Sequence, residues 1–118
     1  MNKEFREYLE LHINELYSLE GKSFKTRIFS SLEKAIPDST LEITEVFTSD
    51  ELEQVWKNFD SHTSELGIAP IAEFYGNMVL CLGHERNNFG KVYYFDFDFG
   101  CIGLCDSLSE FSAHVQEG

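Results

Sequence analysis

The nine residues from Lys91 to Phe99, KVYYFDFDF, constrain this chain most strongly. Side chains on a strand alternate between faces, so Val92, Tyr94, Asp96 and Asp98 share one side, and Tyr93, Phe95, Phe97 and Phe99 share the other. Aromatic rings carry large apolar surfaces. The ring-lined side is therefore expected to be core and the acidic side to face water. The preceding MVLCLG, at 78–83, is apolar on both faces, as a strand covered on both sides requires. HERNNFG at 84–90 reads as a polar turn, so 78–83 and 91–99 are expected to form a hairpin. GIAPIAEF at 67–74, followed by a YGN turn, supplies a further strand before this pair, and CIGLC at 101–105 supplies one after it.

The first half of the chain is patterned differently. Phe5, Tyr8, Leu9, Ile13, Leu16 and Tyr17 recur at helical spacing over 3–19, and Gly21 provides a stop. Phe24, Ile28, Leu32 and Ile36 predict a second helix over 24–36, ended by Pro37. LEITEVF at 41–47 reads as a short strand. Thr48 and Glu51 make a capping box ahead of Leu52, Val55, Trp56 and Phe59, which predicts a third helix. Ser107 with Glu110 starts a last one, lined by Leu108, Phe111 and Val115. Helices followed by adjacent strands, without βαβ alternation, predict one α+β domain over 1–118: a single mixed, largely antiparallel sheet with N-terminal and C-terminal helices packed on it.

The chain has 118 residues, 9 basic and 21 acidic, for a net charge of −12. Residues 60–118 hold only Arg86 and Lys91 against nine carboxylates. Phosphate backbones require Lys and Arg, so direct binding to nucleic acid or an anionic membrane is not expected, whereas a basic protein partner is compatible. Solubility alone also accounts for such a charge. Cys81, Cys101 and Cys105 are an odd set, and no apolar leader or membrane-length run is visible, so a cytoplasmic protein with free thiols is expected.

Several phrases in order carry a resemblance. Ala69-Pro70-Ile71-Ala72, Gly76-Asn77, Leu80-Cys81-Leu82, Gly90 to Asp98, and Asp106-Ser107-Leu108-Ser109-Glu110-Phe111 together resemble the SUKH superfamily, of the Smi/Knr type, over residues 66–111. Residues 1–45 lack the family's earlier L-P-x-x-Y-x-x-F-L and N-G-G segments, so this part is read as divergent. The resemblance implies an α+β fold and no catalysis. It also implies a role as a bacterial immunity protein that binds and neutralises a cognate toxin, often a nuclease. Other members of the superfamily are adaptors in regulatory complexes.

Cys81-x2-His84 and Cys101-x3-Cys105 offer zinc-like types. In an extended strand, however, Cys101 and Cys105 stand roughly 13 Å apart, whereas two zinc thiolates must lie within roughly 4 Å. Buried cysteine acting as a small hydrophobe is the simpler reading. His12, His62, His84 and His114 have no nucleophile elbow near them in sequence, and His12 and His114 fall on helices as surface or boundary residues. Asp96 and Asp98 have the separation of some hydrolase pairs, but the alternation makes them a solvated strand face. Neither an enzyme activity nor a cofactor is expected. A partner-binding face is proposed at Glu73, Tyr75, Tyr94, Asp96, Asp98 and Asp106, acidic with aromatic anchors. The competing class is an adaptor or homodimer that uses Phe5, Tyr8 and Tyr17 of the first helix.

Overall fold

The computed structural model describes residues 2–117. Asn2 caps the first helix, α1 (Lys3–Leu11), by accepting the Phe5 N–H at 2.8 Å. Phe5 and Leu9, four apart on one face, enter the core. The backbone departs from helical geometry at His12 and resumes as α2 (Ile13–Tyr17), so the expected helix is two short ones in succession. Leu16 and Leu19 continue the buried face.

The expected helix over 24–36 is mostly something else. Residues Lys22–Lys25 form strand β1, Thr26–Ile28 a 3-10 turn, and only Ser30–Ala35 the α-helix α3. Phe24 lies opposite Leu41 in an antiparallel pair. Strand pairing on both sides of β1 overrides a helical spacing whose own member, Ile28, ends up exposed. Ile36 is extended before Pro37, as the proline demands. The run 41–47, read as one strand, is two: β2 (Thr40–Glu42) and β3 (Glu45–Val46).

The third helix, α4 (Ser49–Thr63), begins where the capping box places it, with the Thr48 N–H donating to the Glu51 carboxylate at 2.8 Å. Four consecutive strands follow: β4 (Ile68–Tyr75), β5 (Met78–Gly83), β6 (Val92–Asp96) and β7 (Gly100–Cys105). Helix α5 (Leu108–Ser112) is capped by Ser107, whose hydroxyl accepts the Glu110 N–H, and β8 (Gln116–Glu117) closes the described chain.

Among the described residues all strand pairs are antiparallel, and they form two sheets where a single mixed one was expected. The larger runs β3-β4-β5-β6-β7 and the smaller β2-β1-β8, with the helices around them, so the fold is α+β. The hairpin joining 78–83 to the following strand is present, with Leu80 opposite Tyr94 and Leu82 opposite Val92.

Both faces of the larger sheet are covered. On one, Phe74, Leu80, Leu82, Val92, Tyr94 and Ile102 join Phe5, Phe24, Leu32, Trp56 and Phe111 in the main core. On the other, Ile68, Val79, Cys81 and Phe95 form a smaller cluster against Phe59 of α4. Successive residues of β5 feed alternate clusters, which explains why MVLCLG is apolar throughout.

This arrangement reverses the expected sidedness of β6. The Val92, Tyr94 and Asp96 side is buried, with Tyr94 at 0% and Asp96 at 6% relative exposure. Of the aromatic set, Phe95 is buried and Tyr93 half-buried, but Phe97 and Phe99 are exposed. The strand ends at Asp96, so Phe97 to Phe99 belong to a turn and escape the alternation. The first two helices are likewise used inward: Phe5 is fully buried and Tyr8 packs on Phe89 at 5.3 Å, which leaves Leu11 of α1 and Tyr17 of α2 as exposed apolar groups. Of the groups expected to serve an adaptor contact, Phe5 is thus taken up by the core and Tyr8 partly so, whereas Tyr17 stays exposed.

Candidate functional site

Two turns lie at one end of the larger sheet: residues 76–77 between β4 and β5, and 97–99 between β6 and β7. The link from α3 to β2 brings Pro37 and Asp38 beside them, and a cavity of about 300 Å³ opens between the three segments. Gly76, at a φ of 59°, makes the first turn. Asp96 makes the second. Its Oδ1 accepts the N–H groups of Asp98 at 2.7 Å and Phe99 at 2.5 Å, and Gly100 at φ 81° completes the reversal.

The other oxygen of Asp96 accepts the Tyr94 hydroxyl at 2.5 Å. Burial, and then the adjoining carboxylate, push the Tyr94 phenol well above its ordinary range. Asp96 is thus a structural acceptor that ties a core tyrosine to the turn. Its partners are all within its own hairpin. This answers why an acid stands on the core side: the group is buried but carries three hydrogen bonds.

Tyr75 stands on the opposite wall, half exposed, and donates its hydroxyl to Asp38 Oδ2 at 2.6 Å. That bond, and secondarily the Asp38 charge, raise the Tyr75 phenol above its usual value. Asp98 is exposed at the rim, as is Phe99. Phe97 also borders the cleft, and its ring stacks on Phe59 at 5.3 Å and meets His62 edge-on at 4.6 Å.

Of the six residues proposed from sequence, Tyr75, Tyr94, Asp96 and Asp98 line this one cleft. Tyr94 and Asp96 form its buried floor rather than a solvated surface. Glu73 is set apart on the β3 side, opposite Glu45 in the ladder. There Glu51 first, then slight burial, Glu73 and Glu20 hold the Glu45 carboxyl above its usual range. Asp106 follows the far end of β7, which at about 3.3 Å per residue lies roughly 16 Å along the strand from Gly100. Sequence reasoning missed Asp38, and it placed Phe99 inside. The signal for the latter was available in DFDFG: an aspartate followed by glycine four residues on is turn chemistry.

The cysteines behave as packing residues. Cys81 is fully buried, and burial pushes its thiol well above 9.0; burial likewise raises Cys101, and raises Cys105 to about 11. Thiols held in the protonated form are poor nucleophiles and poor ligands. Among the described residues, no group of three or more His, Cys, Asp or Glu side chains is placed to hold a metal ion, and no helix is long and apolar enough to cross a membrane.

The geometry is that of a cleft built at strand ends, with aromatic and carboxylate groups converging. No curated protein matches the chain. A family model described as RhsPI matches residues 18–116, well beyond half of the sequence and across residues 18–65, where the resemblance drawn from the strands did not reach. The role expected from that resemblance and the family that matches agree at the level of immunity proteins. From the residue after its second helix to the start of its last strand, this chain belongs to the RhsPI family of Rhs-associated immunity proteins.

Proposed function

We propose that the protein binds a cognate Rhs toxin domain and neutralises it by occupying its working surface, with no chemistry of its own, and that the toxin is a basic nuclease. Membership of an immunity-protein family carries the first part. The second rests on charge. A nuclease must present Lys and Arg to hold phosphates, and a chain of net charge −12, with two basic residues after position 59, complements such a surface. Complementary fields speed encounter and suppress wrong partners.

The test is co-expression with the product of the adjacent reading frame, followed by purification. Rescue of growth and a stable complex are the expected result. A neighbour that is harmless alone and forms no complex overturns the reading. The nuclease assignment is checked separately by incubating the purified toxin domain with DNA and RNA. A toxin that degrades neither, or that carries no basic surface, removes that part while leaving the immunity role intact.

A further inference from the structure

The cleft at the 75–77 and 97–99 end of the sheet combines two kinds of group on one small opening. Tyr75 and Phe99 each leave about half of their surface in water, at 50% and 51%. Phe99 has no ring partner among the described residues. Asp38 and Asp98 stand beside them, and no Lys or Arg lines the cavity. Among the described residues neither carboxylate is paired with a cation. Asp96 is saturated by its own turn and by Tyr94. Asp38 spends only Oδ2 on Tyr75, so its Oδ1 remains an acceptor.

Exposed ring faces attract cations, guanidinium more often than ammonium. Carboxylates bind the planar guanidinium fork with directionality that a lysine ammonium lacks. A cavity of about 300 Å³ is at the lower bound of small-ligand sites, so it suits one long side chain and excludes a helix. Charge complementarity therefore selects the occupant.

We propose that, on the toxin-binding reading above, this cleft seats one arginine of the bound toxin. The guanidinium is held by Asp98 and the unused oxygen of Asp38, and its aliphatic stem lies along Tyr75 and Phe99. Aromatic anchors and Arg are the groups that dominate interface energetics.

Two measurements test it. In the first, isotopically labelled protein is titrated with N-acetyl-arginine amide, and its amide resonances are followed, with N-acetyl-lysine amide and N-acetyl-leucine amide as comparisons. The expected result is shifts confined to residues 38, 75–77 and 96–99, largest for the arginine probe and weakened by salt. No shifts there, or equal shifts from the leucine probe, overturn the proposal. In the second, Asp98→Asn and Phe99→Ala are compared with wild type and with Glu10→Gln, an exposed charge on α1, for binding to the cognate toxin domain. Each cleft variant is expected to weaken binding by about tenfold to a hundredfold, with Glu10→Gln unchanged. Wild-type affinity in both cleft variants overturns it. If the wild-type chain binds no toxin, the immunity reading fails, and the probe titration still decides the cleft.

Discussion

Replacing Asp96 with alanine separates a buried structural acceptor from a solvated surface charge. On the surface reading the change is nearly silent, within about 0.5 kcal/mol. The structure gives a different sum. Tyr94 is fully buried, and its hydroxyl has Asp96 as its acceptor. Leaving a buried donor without a partner costs about 1–3 kcal/mol. The Asp98 and Phe99 N–H groups also lose an acceptor, but they sit in an exposed turn where water replaces it, so each contributes about 0.5–1 kcal/mol. The total is about 2–5 kcal/mol, a large share of the 5–15 kcal/mol of a typical domain.

Urea unfolding of wild type, Asp96→Ala, Tyr94→Phe and the double variant measures this. Tyr94→Phe removes the donor itself and is expected to cost about 1–2 kcal/mol. The double variant should be less destabilised than the two singles added, by about 1 kcal/mol or more, because no buried hydroxyl is then left unpaired. An Asp96→Ala protein within about 0.5 kcal/mol of wild type, or strict additivity in the cycle, refutes the account.

Three further outcomes follow from the packing. Trp56→Phe removes the indole N–H that donates to the Pro70 carbonyl at 2.8 Å; a loss of about 1–3 kcal/mol is expected in the same unfolding assay. Gly83→Ala puts a methyl 2.1 Å from the Asn88 carbonyl oxygen, and backbone must move, so a loss of about 3 kcal/mol is expected; Gly76→Ala, with open space but a φ of 59°, should lose only about 1–2 kcal/mol. Stability should also fall in alkali. Cys81, Cys105 and Tyr94 all have raised values in the folded state. The unfolded chain therefore loses these protons first, and stability, complete below the unfolded thiol value of 9.0, declines as pH rises above it. The slope is at most about 1.4 kcal/mol per pH unit for each group, and Cys81→Ala should make it shallower in urea midpoints taken from about pH 8 to about pH 10.

Where sequence and structure agree, the signal was local and self-contained. The Thr48–Glu51 box starts a helix because both partners lie within one turn, and Ser107 does the same for α5. The hairpin of β5 and β6 needed only a polar turn between two apolar runs. Phe24 failed because its neighbours in space, Leu41 and the strand at 116–117, are remote in sequence, and a period of four cannot report them. The sidedness of β6 failed for another reason. Alternation distinguishes two faces but does not say which is core when both are covered, and the aromatic-rich face was the smaller one. The cleft was legible in part, through Tyr75 and Asp98, because strand-end turns can be found from Gly and Asn. Asp38 was invisible, since it reaches Tyr75 across 37 positions.

The division of residues 41–47 between two sheets bears on how the molecule comes apart. The Ile43 N–H donates to Lys22 at 2.8 Å, on the side of the small sheet, and the next one along, Thr44, donates to Glu73 at 2.9 Å in the large one. Neighbouring peptide groups thus belong to different sheets, with no slack between them. A sheet of three strands only two to four residues long is marginal by itself. Spliced in this way, it cannot open without pulling on the edge of its larger neighbour. The two sheets should therefore melt as one cooperative unit, and amide exchange at Phe24 and Leu41 should proceed through global rather than local opening.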